Sequence, residues 1–459
     1  MAVEDFDLLV VGGGKAGKTL AMDRARGGLR VAMVEREMIG GSCINVACIP
    51  TKALVASARA LRTFDRGRAL GLIGGEVRAD ADSLREHKND VVQGMVAINR
   101  EQFRDSGMDL VIGQARFVAE RTVEIALEGG GTRVLRGADT VINTGTRPRI
   151  PDIPGLAQAG VLVSDTLLEL RRLPDRLVVI GAGPIGLEFA DMFAAFGSDV
   201  TVVAGRQQLL PREEPEFADA VHQLLSDHGV TVLLGREVTR VTREADGAVA
   251  VSLADGSLLH GDDVLVAVGR TPVTEALEPD RANVALTGDG FIEVDEYLAT
   301  SAPHTWAAGD VAGTTQFTHA SLDDYRVLKT NLAGGRRSTR DRLIPRTTFL
   351  SFDLAHVGLT EEQARARGHA VRIARLPVAA IPRARTMGET YGLWKAVIEA
   401  GTGRILGVTL LGPESGETLA TVQTAMIAGL PYTALRDMVI THPTMTEGLN
   451  MLFSAVGPA

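Results

Sequence analysis

Two cysteines, Cys43 and Cys48, are the residues of this 459-residue chain best suited to redox chemistry, and the sequence contains no others. Pro50 follows closely, and proline is tolerated in the first turn of a helix, so we expect a helix to begin near Cys48. The positive end of a helix lowers the pKa of a thiol and favours the thiolate. A regular helix would hold these residues too far apart for a disulfide, so we expect the chain between them to be distorted.

Two inert buried thiols, or half of a metal site, are the alternatives for this pair. A count of two excludes a secreted framework of several disulfides and a four-cysteine zinc site. We therefore expect redox chemistry and no resident metal. Lys52 lies one helical turn beyond Cys48 and so on the same face, although a solvated lysine would show the same spacing.

Two glycine-rich turns, each between an apolar strand and a helix-compatible stretch, predict two dinucleotide-binding units. The glycines are Gly12, Gly14 and Gly17 in the first turn and Gly181, Gly183 and Gly186 in the second. Glu35 ends the strand that follows the first turn, where an acid can bind a ribose hydroxyl. Two complete copies are a much more specific signal than one.

The first turn also fits the P-loop pattern of NTPases, because Lys18 and Thr19 follow its last glycine. Both patterns direct backbone N–H groups at phosphate. The next strand ends in Glu35, as a dinucleotide site requires, and no apolar strand ending in a magnesium-binding aspartate suits an NTPase. The NTPase is therefore the disfavoured alternative.

Composition excludes several classes of function. The net charge is −9, from 48 basic and 57 acidic residues, which disfavours a nucleic-acid partner. No apolar run approaches the roughly 20 residues needed to cross a bilayer, and the start of the chain is acidic where a signal peptide would be basic. We expect a folded cytoplasmic protein without a membrane partner.

Strands that end in glycine turns also divide the chain. One is followed by Thr144 and Gly145 and another by Gly269 and Arg270, which puts boundaries near residues 146 and 270. From about residue 340 the pattern changes to strands followed by helices, which predicts an α+β domain.

The segment 40–52, GGSCINVACIPTK, closely resembles the active-site segment of the flavoprotein disulfide reductases, the family of lipoamide dehydrogenase, glutathione reductase and mercuric reductase. Further family motifs follow in order over essentially the whole chain: TG at 144–145, VGRTP at 268–272, AGD at 308–310 and HPTMTE at 442–447. Within the family, GKAGKTLA at 14–21 and SLDDYR at 321–326 look most like a bacterial reactive-chlorine-resistance branch, which is associated with copper(II) reduction.

The resemblance implies an α/β protein with two Rossmann-like dinucleotide-binding domains and a C-terminal α+β dimerisation domain. Residues 1–145 and 271–338 would form the FAD-binding domain, 146–270 the NAD(P)H-binding domain and 339–459 the interface domain. FAD would lie on the first glycine turn with Glu35, and Asp310 would bind its ribityl chain. The motif residues Thr144, Gly145, Gly269 and Arg270 are carried over as cofactor-binding, and the second glycine turn would bind the nicotinamide nucleotide.

The resemblance also implies roles at the reacting centre. Cys48 would face the flavin as the charge-transfer thiolate, and Cys43 would be the interchange thiol that meets the acceptor. Lys52 would pair with Glu188 beside the flavin, although Glu188 alone could be an ordinary acid in the first turn of a helix.

His442 and Glu447 match the family's acid–base pair, which a homodimer contributes across its interface to the other chain's cysteines. A histidine can protonate a leaving thiolate near neutral pH, and a carboxylate can orient its ring. The alternative is a capping box formed by Thr444 and Glu447 at a helix N-terminus.

Arg206 follows the second strand of the second unit, where no acid is present. Arginine accommodates the 2′-phosphate of NADP, so we expect NADPH, with NADH possible. A solvated surface arginine is the alternative, and the copper-reducing branch has an acid there, so this chain departs from it. We expect His319, near the predicted flavin edge, to be a satisfied interior histidine.

These observations predict an FAD-dependent NAD(P)H oxidoreductase that passes electrons through the flavin to the Cys43–Cys48 disulfide and on to a small-molecule or metal-ion acceptor. The favoured acceptor is a metal ion such as Cu(II) or a small disulfide in oxidative-stress defence, and dihydrolipoamide dehydrogenase or low-molecular-weight disulfide reductase is the runner-up. Mercuric reduction is disfavoured because no extra cysteine pair follows at the C-terminus. A flavin-binding interaction protein with idle cysteines is a further alternative.

Overall fold

The computed structural model describes residues 2–72, 74–169 and 171–457. The strands are β1 Val3–Val11, β2 Val31–Glu35, β3 Asp109–Ala119, β4 Thr122–Leu127, β5 Thr132–Ile142, β6 Thr146–Pro148, β7 Arg176–Ile180, β8 Asp199–Ala204, β9 Thr231–Leu234, β10 Val238–Arg243, β11 Val249–Leu253, β12 Leu258–Gly261, β13 Asp263–Val266, β14 Arg270–Pro272, β15 Thr305–Ala307, β16 Arg346–Phe349, β17 Asp353–Gly358, β18 Val371–Pro377, β19 Leu393–Glu399 and β20 Ile405–Gly412.

The α-helices are α1 Lys15–Arg26, α2 Ser42–Asn45, α3 Cys48–Asp65, α4 Ala81–Ser106, α5 Ser164–Leu167, α6 Pro184–Ala195, α7 Pro215–Asp227, α8 Thr318–Asn331, α9 Glu361–Ala366, α10 Pro382–Met387, α11 Ser415–Ile427, α12 Tyr432–Asp437 and α13 Gly448–Ser454. Short 3₁₀ helices span Arg66–Leu70, Glu275–Leu277, Pro279–Ala282, Gly309–Ala312 and Val378–Ala380. In the part of the chain that the structure describes, no helix combines the length and apolarity that a membrane crossing requires.

The chain forms two compact units, each built from three segments. The first unit comprises residues 1–53, 85–149 and 269–342, and the second comprises 54–84, 150–268 and 343–459. The four domain segments expected from the sequence stay a prediction.

A parallel sheet in the order β3-β2-β1-β5-β15 forms the centre of the first unit, and β4 pairs antiparallel with β3 and β5. All five residues of β2 are buried, as expected for a strand covered on both faces. Open α/β sheets bind ligands at the carboxyl ends of their strands. Gly12, Glu35, Asn143 and Ala308 lie at this edge, because β1, β2, β5 and β15 end there.

The second unit contains a parallel sheet in the order β13-β7-β8-β9, which repeats the strand–turn–helix–strand pattern with α6 after β7. It also contains a five-stranded antiparallel sheet, β16-β17-β20-β19-β18, whose core includes the fully buried Trp394 and Phe453. The predicted class, two Rossmann-like folds and a C-terminal α+β domain, is confirmed.

Candidate active site

The chain between the two cysteines is divided into two helices. The four-residue α2 carries Cys43, and Val46 leaves helical geometry with φ −139° and ψ 8°. The next helix, α3, begins at Cys48, so the expected helix start and distortion are both confirmed. Both cysteines are free thiols and half-buried. The break brings them together, and Cys48 is a hydrogen-bond partner of Cys43.

Thr318, the first residue of α8, completes the surroundings of the thiols. Its Oγ1 lies 3.4 Å from Cys48 Sγ, and it also hydrogen-bonds the side chain of Cys43. The hydrogen bond with Cys48, followed by burial, raises the pKa of the Cys43 thiol well above its usual range, while Thr318 and Lys18 act in the opposite direction. In the reduced pair, Cys43 therefore keeps its proton and can donate it to Cys48.

The first glycine turn packs directly on the backbone that follows β5. Gly12 has φ +106°, and a Cβ there would lie 2.3 Å from the Asn143 carbonyl oxygen. A Cβ on Gly17 would lie 2.4 Å from the Gly12 carbonyl oxygen. No side chain caps α1 at Gly14, so the helix N-terminus can receive a phosphate group.

Two carboxylates, the buried Glu35 and the half-buried Asp310, lie at the edge where a nucleotide would bind. Glu35 Oε2 accepts a hydrogen bond from Gly13 N at 2.8 Å, and its Oε1 accepts from Glu37 N and Met38 N, so one of the roughly four acceptor positions of the carboxylate remains for a ribose hydroxyl. Asp310 Oδ2 accepts from Thr146 Oγ1 at 2.9 Å, and Arg270 Nε donates to the same Oγ1 at 2.7 Å. Burial raises the pKa of Asp310, which favours a partner that donates hydrogen bonds to its carboxylate.

Asn143 and Asp324 hold these elements together, although the sequence did not single them out. Asn143 Oδ1 accepts from Gly17 N at 2.9 Å, and its Nδ2 donates to the Ala308 carbonyl at 2.6 Å. The fully buried Asp324 accepts from Gly309 N at 2.7 Å. An uncapped helix, a close backbone approach and two placed carboxylates fit a flavin adenine dinucleotide.

The second glycine turn has the same construction in the second unit. A Cβ on Gly181, at φ +117°, would lie 2.4 Å from the Ala267 carbonyl oxygen, and one on Gly186 would lie 2.2 Å from the Gly181 carbonyl oxygen. A Cβ on Gly183 would meet open space, and no side chain caps α6 there. This turn fits a second nucleotide, and Arg206 is exposed beyond the end of β8.

The remaining predicted residues of the flavin region lie as follows. Glu188 is buried on α6, and its Oε1 accepts from Phe349 N at 2.8 Å, while Lys52 is half-buried on α3. Their pairing stays a prediction. Thr144 Oγ1 donates to the Val273 carbonyl at 2.7 Å. The four residues Thr144, Gly145, Gly269 and Arg270 lie at or next to the antiparallel pair β6–β14, where Arg270 bonds to Thr146.

His442 and Glu447 form a pair in the second unit, with Nδ1 and Oε2 2.8 Å apart. His442 is exposed, so its other ring nitrogen can meet a partner from outside the chain. Thr444 Oγ1 accepts from Glu447 N at 3.2 Å, but α13 begins only at Gly448, with Glu447 as its N-cap and no side-chain cap, so the capping box is not formed. The Glu447 side chain instead bonds to the histidine, and the acid–base role of the pair stays a prediction.

His319 is exposed and stacks on Phe317, with ring centroids 5.1 Å apart and an interplanar angle of 14°. The expectation of an interior histidine is wrong in this chain. It lies one residue after Thr318, near the start of α8.

Lys18, which would be the phosphate-binding lysine of a P-loop, is turned into the protein. Its Nζ donates to the Gly40 carbonyl at 3.0 Å and to Asn99 Oδ1 at 2.7 Å. The Thr19 hydroxyl donates to the Lys15 carbonyl at 2.6 Å within α1. Both side chains that an NTPase would need are committed elsewhere, which counts against that alternative.

The fold described above is that of the pyridine nucleotide-disulphide oxidoreductases, and the chain belongs to this family. The family model matches residues 6–324, and the model of its dimerisation domain matches residues 344–452. The chain is therefore a flavin-dependent oxidoreductase that uses FAD and NAD(P)H.

Among known proteins, the chain is 42% identical to the probable pyridine nucleotide-disulfide oxidoreductase RclA of Escherichia coli, over 98% of this chain and 99% of that protein. It is 32% identical to the mercuric reductase of Bacillus cereus, over 97% of this chain and 71% of the relative. A solved Cu(II) complex of the HOCl-induced flavoprotein disulfide reductase RclA superimposes with a TM-score of 0.91 at 41% identity, covering 99% of this chain and 100% of that one.

Proposed function

We propose that this enzyme passes electrons from NADPH to the Cys43–Cys48 pair and from the reduced pair to Cu(II) or a small disulfide. The observation that carries the proposal is the apposition of the two thiols at the N-terminus of α3, with the Thr318 hydroxyl 3.4 Å from the Cys48 sulfur. The solved Cu(II) complex of the Escherichia coli relative supports a metal ion as acceptor.

When bound, FAD takes an electron pair from NAD(P)H and supplies it to a disulfide. The chain's own residues would bind it: the N-terminus of α1 holds phosphate, Glu35 accepts a ribose hydroxyl, and Asp310 accepts hydroxyls of the ribityl chain. Lys52 would supply a positive charge beside the flavin ring, and Glu188 would orient the Lys52 side chain. These assignments follow the family resemblance and the positions described above.

The two thiols would have different roles when the reduced pair reacts with the acceptor. Cys48 lies at the positive end of α3, which favours its thiolate, and the raised pKa of Cys43 makes Cys43 the proton donor of the pair. Cys43 then loses its proton when it attacks a disulfide or ligates a metal ion, because the thiolate is the reactive form.

We further propose that the enzyme works as a cytoplasmic homodimer, in which His442 and Glu447 of one chain serve the cysteines of the other. The pair is oriented and its histidine exposed, as a contribution to a partner chain would require. For the nucleotide, the exposed Arg206 at the end of β8 favours NADPH through its 2′-phosphate.

An anaerobic titration with NADPH tests the electron path. We expect a long-wavelength absorption band from a thiolate next to the flavin, lost in Cys48→Ser and retained in the matched variant Cys43→Ser. If the wild-type protein is reduced without that band, or if Cys48→Ser keeps it, the assigned path is wrong.

The acceptor is tested separately by steady-state rates with Cu(II), Hg(II), lipoamide and glutathione disulfide, each with NADPH and with NADH. We expect the highest kcat/KM with Cu(II) or a small disulfide, and with NADPH. The highest kcat/KM with lipoamide and NADH would instead support a dihydrolipoamide dehydrogenase.

A further inference from the structure

A polar row crosses the five-stranded sheet of the second unit from one edge strand to the other. The register places its members opposite one another on successive strands, so their side chains lie on one face: Arg346 on β16, His356 on β17, Thr409 on β20, Lys395 on β19 and Arg375 on β18. His356 Nδ1 lies 2.8 Å from Thr409 Oγ1, and the other three side chains are cations. Lys395 is only 3% exposed, so its charge requires partners.

An acidic segment of the same unit, residues 213–216, meets the two ends of this row. Glu213 accepts from Arg346 Nε and Nη2 at 2.7 and 3.1 Å. Glu216 accepts from Arg375 Nε and Nη2 at 2.8 and 2.9 Å. Each contact joins a guanidinium to a carboxylate through two hydrogen bonds, which fixes the orientation of both groups.

Lys395 bonds to the same acidic segment between these two contacts. Its Nζ donates to Glu214 Oε1 at 2.8 Å and to Glu216 Oε1 at 2.7 Å, and Glu361 Oε2 of α9 lies 2.9 Å from it. All three carboxylates of the acidic segment therefore bond to cations of the polar row. Without Lys395, three carboxylates would repel one another in a largely buried position, which would push the acidic segment off the sheet.

The acidic segment follows directly on the loop that carries Arg206. In this loop, residues 205–212, Leu210 N donates to the Ala182 carbonyl of the second glycine turn at 2.9 Å, and the Leu210 carbonyl accepts from Glu213 N at 2.8 Å. The loop is thus bonded to the nucleotide-binding turn on one side and to the acidic segment on the other. Arg206 itself is exposed and can meet a ligand.

We propose that Lys395 is a positioning residue for the nicotinamide nucleotide: it holds the acidic segment on the sheet, and the acidic segment holds the loop of Arg206 where that arginine binds a 2′-phosphate. The inference rests on the proposed function, in which Arg206 favours NADPH. A loop that occupies its binding geometry only part of the time lowers the affinity for its ligand by that fraction. Loss of Lys395 therefore weakens the contact with the 2′-phosphate more than the contacts with the rest of the nucleotide.

The test compares NADP⁺ with NAD⁺, which differ only in the 2′-phosphate. Binding of each nucleotide to the oxidised, FAD-loaded enzyme is measured by isothermal titration calorimetry at one ionic strength, for the wild type and for Lys395→Met. We expect Lys395→Met to raise the Kd for NADP⁺ about tenfold, as for a loop in its binding geometry about one-tenth of the time. The Kd for NAD⁺ should change by about twofold or less, because the second glycine turn is intact.

Two further variants complete the experiment. Arg365→Met removes an exposed arginine that bonds to Glu361 within α9 at 2.9 Å, outside the acidic segment, and it should leave both Kd values unchanged. Arg346→Met removes the partner of Glu213 and keeps Lys395. It should raise the Kd for NADP⁺ about threefold and spare NAD⁺, and it decides the matter if Lys395→Met does not fold.

A Kd for NADP⁺ in Lys395→Met and Arg346→Met equal to that of the wild type would overturn the proposal. Weakening of NADP⁺ and NAD⁺ by the same factor would also overturn it, because a general loss of structure does not distinguish the 2′-phosphate. The wild type separates this failure from that of the proposed function: equal Kd values for the two nucleotides in the wild type would overturn the assignment of Arg206 to NADPH, and this proposal with it.

Discussion

Asn143 should determine how firmly the protein holds FAD. Its side chain joins the first turn of α1 to the loop before Asp310, through Gly17 N at 2.9 Å and the Ala308 carbonyl at 2.6 Å. The residue is 5% exposed, so Asn143→Ala leaves a backbone donor and a backbone acceptor buried without partners. At about 1–2 kcal/mol for each group, the free energy of unfolding should fall by about 2–4 kcal/mol.

Urea unfolding of the FAD-loaded protein measures this loss, and flavin fluorescence on heating measures release of the cofactor. The matched control is Gln223→Ala on α7 of the second unit, whose exposed side chain donates from Nε2 to Asp227 Oδ1 at 2.7 Å. Water can replace that partner, so the cost should be about 1 kcal/mol or less, with no change in FAD release. Unfolding and FAD release in Asn143→Ala that match the wild type would refute the reasoning.

Three further results are expected. Burial, followed by repulsion from Arg346, lowers the pKa of His356 to about 4 from an ordinary 6.5, so its stabilising contribution is complete above pH 6.5 and lost as pH falls toward 4. That loss amounts to about 3 kcal/mol of the free energy of unfolding. In His356→Gln, the free energy of unfolding measured by urea titration at several pH values should depend much less on pH over this range. Arg206→Glu should lower kcat/KM for NADPH by about 10- to 100-fold and spare NADH, and an equal loss with both nucleotides would contradict the assignment. His442→Gln should slow reduction of a small disulfide by about 100-fold or more but slow Cu(II) reduction much less, because only the disulfide requires a protonated leaving thiolate; equal losses would count against the proton-donor role.

Features that depend on neighbours in the sequence were predictable. Pro50 marked the start of α3 at Cys48, and the two glycine turns marked β1–α1–β2 and β7–α6–β8. In each turn, a glycine with positive φ lies against the backbone just after another strand of the same sheet. The sequence shows the glycine but not which strand it meets. Few residue types fit the backbone geometry of these turns, so the sequence alone predicts where the turns lie.

Features that depend on distant parts of the chain were not predictable. Thr318 meets Cys48 across 270 residues of sequence, and Asn143 meets Gly17 across 126. No sequence pattern around a threonine or an asparagine predicts such a contact. His319 was wrongly expected inside, because its exposure depends on how the start of α8 lies on the sheet and not on the residues beside it.

The central claim is that the cysteine pair stores electrons on their way to the acceptor. Counting electrons tests it most directly: anaerobic titration with dithionite, with free thiols measured at the end, on the wild type and on the double variant Cys43→Ser, Cys48→Ser. We predict that the wild type takes up one electron pair more than the variant and gains two thiols. Equal uptake by both proteins would contradict the account.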